Sequence, residues 1–195
     1  SLGTEFPILE LNLGFGLKDV FGGDYYYTKA VISLSDNIKL GTFGRTNVRL
    51  QAGKYWGTLP FPVLEIHNGN ETYFFDNGAF NLMNFFEFIS DQYASAMVTH
   101  HFEGFFLNKI PLMRKLKWRE VLTGRAVVGS LQDKNKQTLE LPDNMFELKE
   151  PYVEAAVGIE NIFKIIRVDA LWRLTYLDHP DIQKFGIRAT FEVQF

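Results

Sequence analysis

The last eleven residues, FGIRATFEVQF at 185–195, decide the fold class of this chain. Every odd-numbered residue in the stretch is apolar, and every even-numbered residue is polar or glycine. Side chains on a β-strand alternate between two faces, so the stretch predicts a strand with one apolar face and one polar face. Its length also matches the roughly 9–11 residues with which a tilted strand crosses the hydrocarbon core of a bilayer.

The same alternation recurs along the chain. It predicts seven further strands, at 7–16, 28–35, 46–53, 93–106, 118–130, 152–160 and 165–176. In the six most regular strands every charged residue lies on the polar face: Glu10, Lys29, Arg49, Glu154, Glu160, Arg167, Asp169, Arg173, Arg188 and Glu192. Asp36 and Lys54 have the parity of the apolar face, and we expect them in water just beyond the strand ends. The pattern predicts an all-β fold, an antiparallel transmembrane β-barrel of about eight strands whose lumen these ten charges face.

Two alternatives stay open at this point. A soluble antiparallel barrel or sandwich also alternates, but it turns its apolar face inward, and the sequence does not say which face is inside. The eight strands could also close alone, with an interior filled by side chains, or form the C-terminal part of a larger barrel. An open sheet in lipid would leave unpaired backbone groups at its edges. In a membrane the eight strands must therefore either close on themselves or pair with further strands.

Composition excludes several classes of protein. Hydrophobic residues make up 46% of the 195 residues, and no run approaches the eighteen apolar residues of a membrane-spanning helix. The chain has no cysteine, which excludes disulfides and thiolate metal sites, and its net charge of −3 gives no indication of a nucleic-acid partner. Its 19 Phe, 8 Tyr and 3 Trp would suit aromatic girdles at two membrane interfaces.

We predict a single domain at 1–195. Its connections alternate in length, which predicts that successive connections lie on opposite sides of the membrane. With both termini in the periplasm, the connections 17–24, 54–92, 131–151 and 177–184 are extracellular and 36–45, 107–117 and 161–164 are periplasmic, so the longest and most polar connections lie on one side. The longest, 54–92, is rich in Pro, Asn, Gly and aromatic residues. We interpret it as a lid that folds over or into the barrel, in preference to a partner-binding surface.

No group of residues predicts catalysis or metal binding. His100 and His101 are adjacent, so on a strand they point to opposite faces and do not share a metal ion. Ser95 and His101 share a face, but six residues separate them by roughly 20 Å along a strand. We therefore predict no enzyme, no cofactor and no metal.

Several long stretches carry a resemblance to a known family. They begin at GNETYFF (69–75) and continue with EFISDQYAS (87–95), HHFEGFFLNKIPLMRKLKWRE (100–120), PYVEAAVGIENIFKIIRVDALWRLTYLDHP (151–180) and KFGIRATFEVQF (184–195). These stretches resemble the C-terminal part of a Bacteroidetes family of uncharacterised outer-membrane proteins. Members of that family join a carboxypeptidase-regulatory-like domain, which this sequence lacks, to a barrel akin to barrel-assembly and two-partner-secretion pores.

The resemblance implies a non-enzymatic protein of the bacterial outer membrane, acting in protein insertion, translocation or surface organisation. A small structural or binding barrel that uses its extracellular loops is the alternative, and a lipid-modifying barrel enzyme is a third. The expected partners are outer-membrane lipid and lipopolysaccharide, with barrel-assembly machinery recognising the C-terminal strand. Phe195 would be the signal for that machinery, because outer-membrane barrel strands commonly end the chain on an aromatic residue.

Overall fold

A computed structural model describes residues 6–19, 25–138 and 140–191. The described chain is mostly strand. In chain order its strands are β1 Ile8–Gly16, β2 Tyr27–Lys39, β3 Arg45–Gly57, β4 Glu65–Ile66, β5 Phe88–Ser90, β6 Gln92–His101, β7 Arg119–Ser130, β8 Phe146–Glu147, β9 Tyr152–Ile162, β10 Ile166–Arg173 and β11 Phe185–Phe191. Two short helices, α1 Pro111–Leu116 and α2 Asp133–Lys136, lie in connections. Among the described residues, no helix has the length and apolar character needed to cross a membrane.

Eight of the strands form one antiparallel sheet in the order β1-β2-β3-β6-β7-β9-β10-β11. Each strand pairs with the next long strand along the chain, so the sheet is a meander. These eight correspond to the eight predicted strands, and the prediction of an all-β fold with an antiparallel sheet is confirmed. Within the described residues β1 and β11 do not pair, so no closed barrel is seen there.

The predicted ends of four strands are wrong in informative ways. β2 and β3 stay paired from Tyr27↔Gly57 to Lys39↔Arg45, because the tight connection 40–44 lets the ladder continue. Asp36 and Lys54 therefore lie inside strands, each three residues from a strand end, and not beyond them. The ammonium group of Lys54 lies 5.6 Å from the centre of the Trp56 ring.

β6 and β10 are shorter than predicted because the backbone leaves the extended conformation. After β6 ends at His101, Glu103 takes a left-handed φ of 54° and Gly104 a φ of 84°. β10 ends at Arg173, and Tyr176 has a φ of 53°. A left-handed φ departs from the extended conformation, and at each of these positions the chain turns away from the sheet.

A second, small sheet was not predicted. β4 pairs antiparallel with β5, and β5 pairs parallel with β8. These strands have two or three residues, which is too short to show an alternation in sequence. They lie in the connections 54–92 and 131–151, which they fasten to each other.

The two faces of the large sheet differ sharply in exposure. On the apolar face, the side chains of Leu9, Phe15 and Ile187 are 66%, 69% and 60% exposed. On the charged face, Asp169 and Glu160 are 0% and 1% exposed. The buried face of this sheet is thus its charged face.

The segment 58–91, called the lid below, covers much of that charged face. The main hydrophobic core lies between the lid and the sheet and draws on three parts of the chain: Leu59, Leu64, Phe80, Met83, Phe88 and Ile89 from the lid, Tyr55, Tyr93, Val127 and Tyr152 from the sheet, and Leu131, Met145 and Leu148 from the connection after β7. This geometry is the one that a lid folding over the sheet requires.

A lid docked on the charged face

The middle of the lid is held in shape by two asparagines. Asn81 is fully buried, and its Nδ2 donates to the carbonyl of Asp76 at 2.8 Å. Its Oδ1 accepts from Asn70 Nδ2 at 2.7 Å and from the backbone N–H of Asp76 at 2.8 Å. Asn70 Oδ1 in turn accepts from the N–H and the hydroxyl of Thr72. The segment 70–81 is therefore a compact loop whose shape depends on side-chain amides.

Gly69 lets the two ends of this loop approach each other. A Cβ at this position would lie 2.3 Å from the carbonyl oxygen of Asn84 and 2.4 Å from that of Met83. These neighbours are backbone atoms and cannot rotate away, so only glycine fits here.

Glu154 on β9 binds the backbone of the lid. Its Oε1 accepts from the N–H of Asn81 at 2.8 Å, and its Oε2 accepts from the N–H of Leu82 at 3.0 Å. Arg125 on β7 has Nη1 3.8 Å from Glu154 Oε1. The carboxylate is 2% exposed, so the N–H groups of the lid replace water as its hydrogen-bond partners.

Arg173 on β10 forms the most direct ion pair with the lid. Its Nη2 lies 2.6 Å from Glu87 Oε1, and its Nη1 lies 2.9 Å from Glu87 Oε2. This is the two-pronged geometry in which a guanidinium matches a carboxylate. Glu87 Oε1 also lies 2.9 Å from His179 Nδ1, and Glu87 Oε2 accepts from the N–H of Asn84 at 3.0 Å.

Phe75 at the centre of the lid lies between two arginines of the sheet. The guanidinium carbons of Arg125 and Arg167 are 4.7 and 4.6 Å from the centre of its ring. Arg167 is fixed by Asp169, with two hydrogen bonds of 2.7 and 2.8 Å. Arg125 donates to the lid carbonyls of Asp76, at 2.8 Å, and Ala79. The charged face thus presents a binding pocket for an aromatic ring.

The lid also occupies part of the outer edge of β11. The N–H of Phe75 donates to the carbonyl of Ala189 at 3.1 Å, and the N–H of Ala189 donates to the carbonyl of Tyr73 at 3.2 Å. Thr190 Oγ1 adds a hydrogen bond to the carbonyl of Phe75 at 3.1 Å. These bonds lie along the edge that β1 would have to use to close the sheet.

The two ends of the lid are tied to the connection after β7. Asn135 is 1% exposed; its Oδ1 accepts from the N–H of Leu59 at 2.9 Å, and its Nδ2 donates to Asp91 Oδ2 at 2.8 Å. Asp91 Oδ2 also accepts from the N–H of Gln132. The lid is therefore anchored at both ends as well as in its middle.

The predicted lumen residues divide into three groups. Six are buried on the covered part of the face: Glu154, Glu160, Arg167, Asp169, Arg173 and Arg188. Glu10, Lys29 and Arg49 lie on β1–β3, where the face is open and none of the three is buried. Glu192 and the C-terminal Phe195 lie outside the described residues.

Those of the ten predicted lumen charges that the structure describes do not form a network of ion pairs among themselves. Among the described members of that set, only Arg167 and Asp169 form a salt bridge together. Glu160 pairs with His101 at 2.8 Å, Glu154 lies near Arg125, and Arg173 pairs with Glu87 of the lid. Arg188 donates to the carbonyl of Asn81 at 3.3 Å and to Gln183 at 2.8 Å.

Sequence reasoning missed Arg125, Asn81 and Glu87. Arg125 lies on a predicted strand whose alternation is weak, yet it has the parity of the charged face, and that parity was a usable signal. Asn81 and Glu87 lie in the lid, where no periodicity exists. Only their contacts with Glu154 and Arg173 reveal their role.

The ionisation of two lid residues follows from their surroundings. Burial lowers the pKa of His67 to about 4, and the neutral ring contacts Ser90 Oγ at 3.0 Å through Nε2. Burial alone would raise the pKa of Glu87, but the hydrogen bonds from Arg173 and from the N–H of Asn84 outweigh it and leave that pKa below its ordinary value. At neutral pH the Glu87 carboxylate therefore favours the docked lid, whereas His67 is neutral whether the lid is docked or not and opposes docking only at lower pH.

The stability of the docked lid should fall as the pH drops from about 6.5 to about 4. An exposed His67 binds a proton near pH 6.5, whereas the buried ring resists protonation down to about 4. The undocked state thus binds more protons in this window, and docking loses roughly 3 kcal/mol across it. Denaturant unfolding in detergent at a series of pH values measures the loss. A His67→Gln variant should lack it, and an unchanged slope in that variant would contradict the assignment.

The arrangement holds the lid against the sheet through charged side chains. Its buried arginines and carboxylates are engaged with each other, with lid backbone or with Phe75. Within the described ranges, no cluster of three or more His, Asp or Glu side chains could hold a metal ion.

Comparison with known protein families gives a match over much of the chain. Residues 1–136, which include the lid and all strands from β1 to β7, match the model of a family described as a family of unknown function (DUF5686), C-terminal domain. No curated protein matches the chain. The match includes the stretches at 69–75, 87–95 and 100–120 that carry the resemblance, whereas those at 151–180 and 184–195 lie outside it, and it covers well over half of the chain. The chain therefore belongs to this family of unknown function, as a member of its C-terminal domain.

Proposed function

We propose that the chain is part of the wall of a bacterial outer-membrane β-barrel, with its apolar face toward lipid and its charged face toward a lumen that the lid plugs. The protein is non-enzymatic and acts in protein insertion, translocation or surface organisation. The observation that carries this proposal is the inverted exposure of the sheet: its charged face is buried and its apolar face is exposed.

A water-soluble protein has no reason to expose this face. Leu11, Leu13 and Ile32 on neighbouring strands are 64%, 56% and 45% exposed, and Val157 and Ile187 continue the face at 52% and 60%. Soluble monomers seldom expose continuous apolar patches larger than a few hundred Å². In a bilayer, the same side chains face hydrocarbon at no cost.

Exposed aromatic side chains at both ends of the sheet support the same orientation. At the end that carries the lid, Trp56, Trp172 and Phe185 are 46%, 41% and 51% exposed. At the opposite end, Phe43, Phe163 and Phe191 are 57%, 82% and 68% exposed. Two aromatic bands of this kind are typical of the two interfaces of a membrane barrel.

The strand edges favour a barrel with further strands over closure of these eight alone. β1 and β11 do not pair with each other in the described chain: β1 has no partner there beyond β2, and the outer edge of β11 contacts lid residues Tyr73 and Phe75 through Ala189. Unpaired backbone groups in lipid cost several kcal/mol each, so additional strands would complete the wall. The partners proposed with this function are outer-membrane lipid and lipopolysaccharide, and barrel-assembly machinery at the C-terminal strand.

Labelling of two adjacent positions tests the membrane assignment. Leu11 and Asn12 are both exposed on β1 and point to opposite faces, and the chain has no native cysteine. In membranes, Leu11→Cys should react with a lipid-dissolved maleimide and resist a water-soluble one, whereas Asn12→Cys should show the reverse. A severalfold difference in each direction is expected. Equal reaction of both variants with the water-soluble reagent would overturn the proposal.

A further inference from the structure

The end of the sheet opposite the lid has a basic surface. Its connections, 40–44, 102–118 and 163–165, contain one acidic residue, Glu103, and five basic ones: Lys109, Arg114, Lys115, Lys117 and Lys164. The described connections at the lid end instead contain thirteen acidic and five basic residues. The two ends of the sheet therefore have opposite charge. The three connections opposite the lid are called the basic end below.

Large apolar side chains stand among these cations. Phe106, Ile110, Leu112 and Leu116 in and around α1 are 51%, 49%, 59% and 44% exposed, and Phe163 in the neighbouring connection is 82% exposed. Scattered exposed apolar residues are ordinary, but here they concentrate next to exposed lysines and arginines. Such a mixture is typical of segments that lie in a membrane interface.

The three connections form one continuous surface. Asn161 Nδ2, at the end of β9, donates to the carbonyl of Lys117 at 2.7 Å, which joins this end of β9 to the connection 102–118. The rings of Phe43 and Phe105 lie 5.4 Å apart, which joins the turn after β2 to the same connection.

The nearby carboxylates are already engaged. Glu103 lies 3.5 Å from Arg45 and 2.7 Å from Arg119. Glu120 accepts hydrogen bonds from the N–H groups of Phe106 and Leu107. Within the described part of the chain, no carboxylate lies within salt-bridge distance of Lys109, Arg114, Lys115 or Lys117. Their charges remain available to an external anion.

We propose that the basic end binds the headgroups of anionic phospholipids, such as phosphatidylglycerol, in the leaflet that surrounds it. This inference rests on the proposed function, because it requires the apolar face to be in a bilayer. Phe106, Leu112 and Phe163 would enter the boundary between headgroups and acyl chains, with the lysines and arginines at the level of the phosphates. Each Lys or Arg near an anionic membrane surface strengthens binding to that surface by roughly fivefold. Four such residues should therefore give a clear preference for anionic over zwitterionic lipids.

Energy transfer to labelled lipids tests the preference. A donor fluorophore is attached to Thr42→Cys at the basic end or to Thr58→Cys at the lid end, in the complete barrel that contains this chain, reconstituted in nanodiscs of phosphatidylcholine. The acceptor is carried on a small, equal fraction of phosphatidylglycerol or phosphatidylcholine. At Thr42→Cys the phosphatidylglycerol acceptor should be enriched about fivefold or more. At Thr58→Cys the two acceptors should quench alike.

Two charge variants make the outcome specific. Replacing Lys109, Arg114, Lys115 and Lys117 with glutamine should abolish the enrichment, and high salt should weaken it. Replacing four lid-end lysines, Lys134, Lys136, Lys149 and Lys184, should leave it unchanged. Equal quenching by both acceptors at Thr42→Cys, or enrichment that survives loss of the four basic-end charges, would overturn the inference.

Failure of the lipid inference is distinguishable from failure of the proposed function. The same nanodisc preparation is first tested with Leu11→Cys and the lipid-dissolved maleimide. No reaction there overturns the membrane assignment itself, whereas a reaction without lipid preference overturns only the lipid inference. Binding of a polyglutamate peptide without phosphatidylglycerol enrichment would assign the surface to an acidic protein partner instead.

Discussion

Replacing Arg173 with methionine should release the lid and destabilise the protein by roughly 3–5 kcal/mol. The substitution leaves Glu87 buried at 2% exposure without the two hydrogen bonds that compensate its charge. Breaking a buried ion pair at one partner costs this much because the remaining charge is left without a counterion. Arg173 also donates to the carbonyl of Leu82 in the lid and to that of Tyr176 in the connection after β10, so its loss weakens a further lid contact.

Hydrogen exchange of the lid amides measures the effect. The N–H groups of Asn81 and Leu82 are bonded to Glu154, so they exchange only when the lid opens. A loss of 3–5 kcal/mol corresponds to exchange that is faster by roughly a hundredfold to a few thousandfold.

Two comparison variants show whether the ion pair is responsible. Arg49→Met removes an exposed arginine from the same face and should leave lid exchange unchanged. A Glu87→Gln substitution added to Arg173→Met should recover part of the loss, because it removes the uncompensated carboxylate. Equal exchange rates in Arg173→Met and the unmodified chain would show that this pair does not hold the lid.

Replacing Phe75 with alanine should cost a similar amount, about 3–5 kcal/mol. The ring is 6% exposed, and its removal leaves a cavity between the guanidinium groups of Arg125 and Arg167. Both arginines would lose a cation–π contact and face each other across that cavity. Large-to-small substitutions are costly when the walls cannot collapse, and two like charges resist collapse.

The neighbouring Phe74 is a matched control. Its ring is 60% exposed, and it lies 6.5 Å from the ring of Phe191 at the sheet edge. Phe74→Ala should therefore change the free energy of unfolding in detergent by less than about 1 kcal/mol. A similar loss in both variants would mean that the lid depends on total aromatic content and not on the pocket formed by the two arginines.

The alternation of residues was enough to predict the large sheet. Apolar and polar residues alternate with period two in segments of about ten residues, and strands are the elements with that period. Strand ends were predicted less well, because they depend on which partner residues continue the ladder. Asp36 and Lys54 are examples: β2 and β3 keep pairing past both residues, whatever their polarity.

The lid could be predicted only as a segment and not as a docked structure. Asn81 and Glu154 are 73 residues apart in sequence, and Glu87 and Arg173 are 86 apart. No local pattern links such partners, because their meeting depends on the path of the whole lid across the sheet. The short strands β4, β5 and β8 were missed for the same reason, since their pairing is set by neighbours distant in sequence.

By itself the sequence determined that one face of the sheet is apolar and the other charged, because alternation depends only on residue order. It could not determine which face is buried, because period two is the same for a soluble sandwich and for a membrane barrel. Tertiary structure decided that question. The lid's amides, carbonyls, Glu87 and the ring of Phe75 supply partners that buried charges require, so the charged face can be covered and the apolar face left exposed.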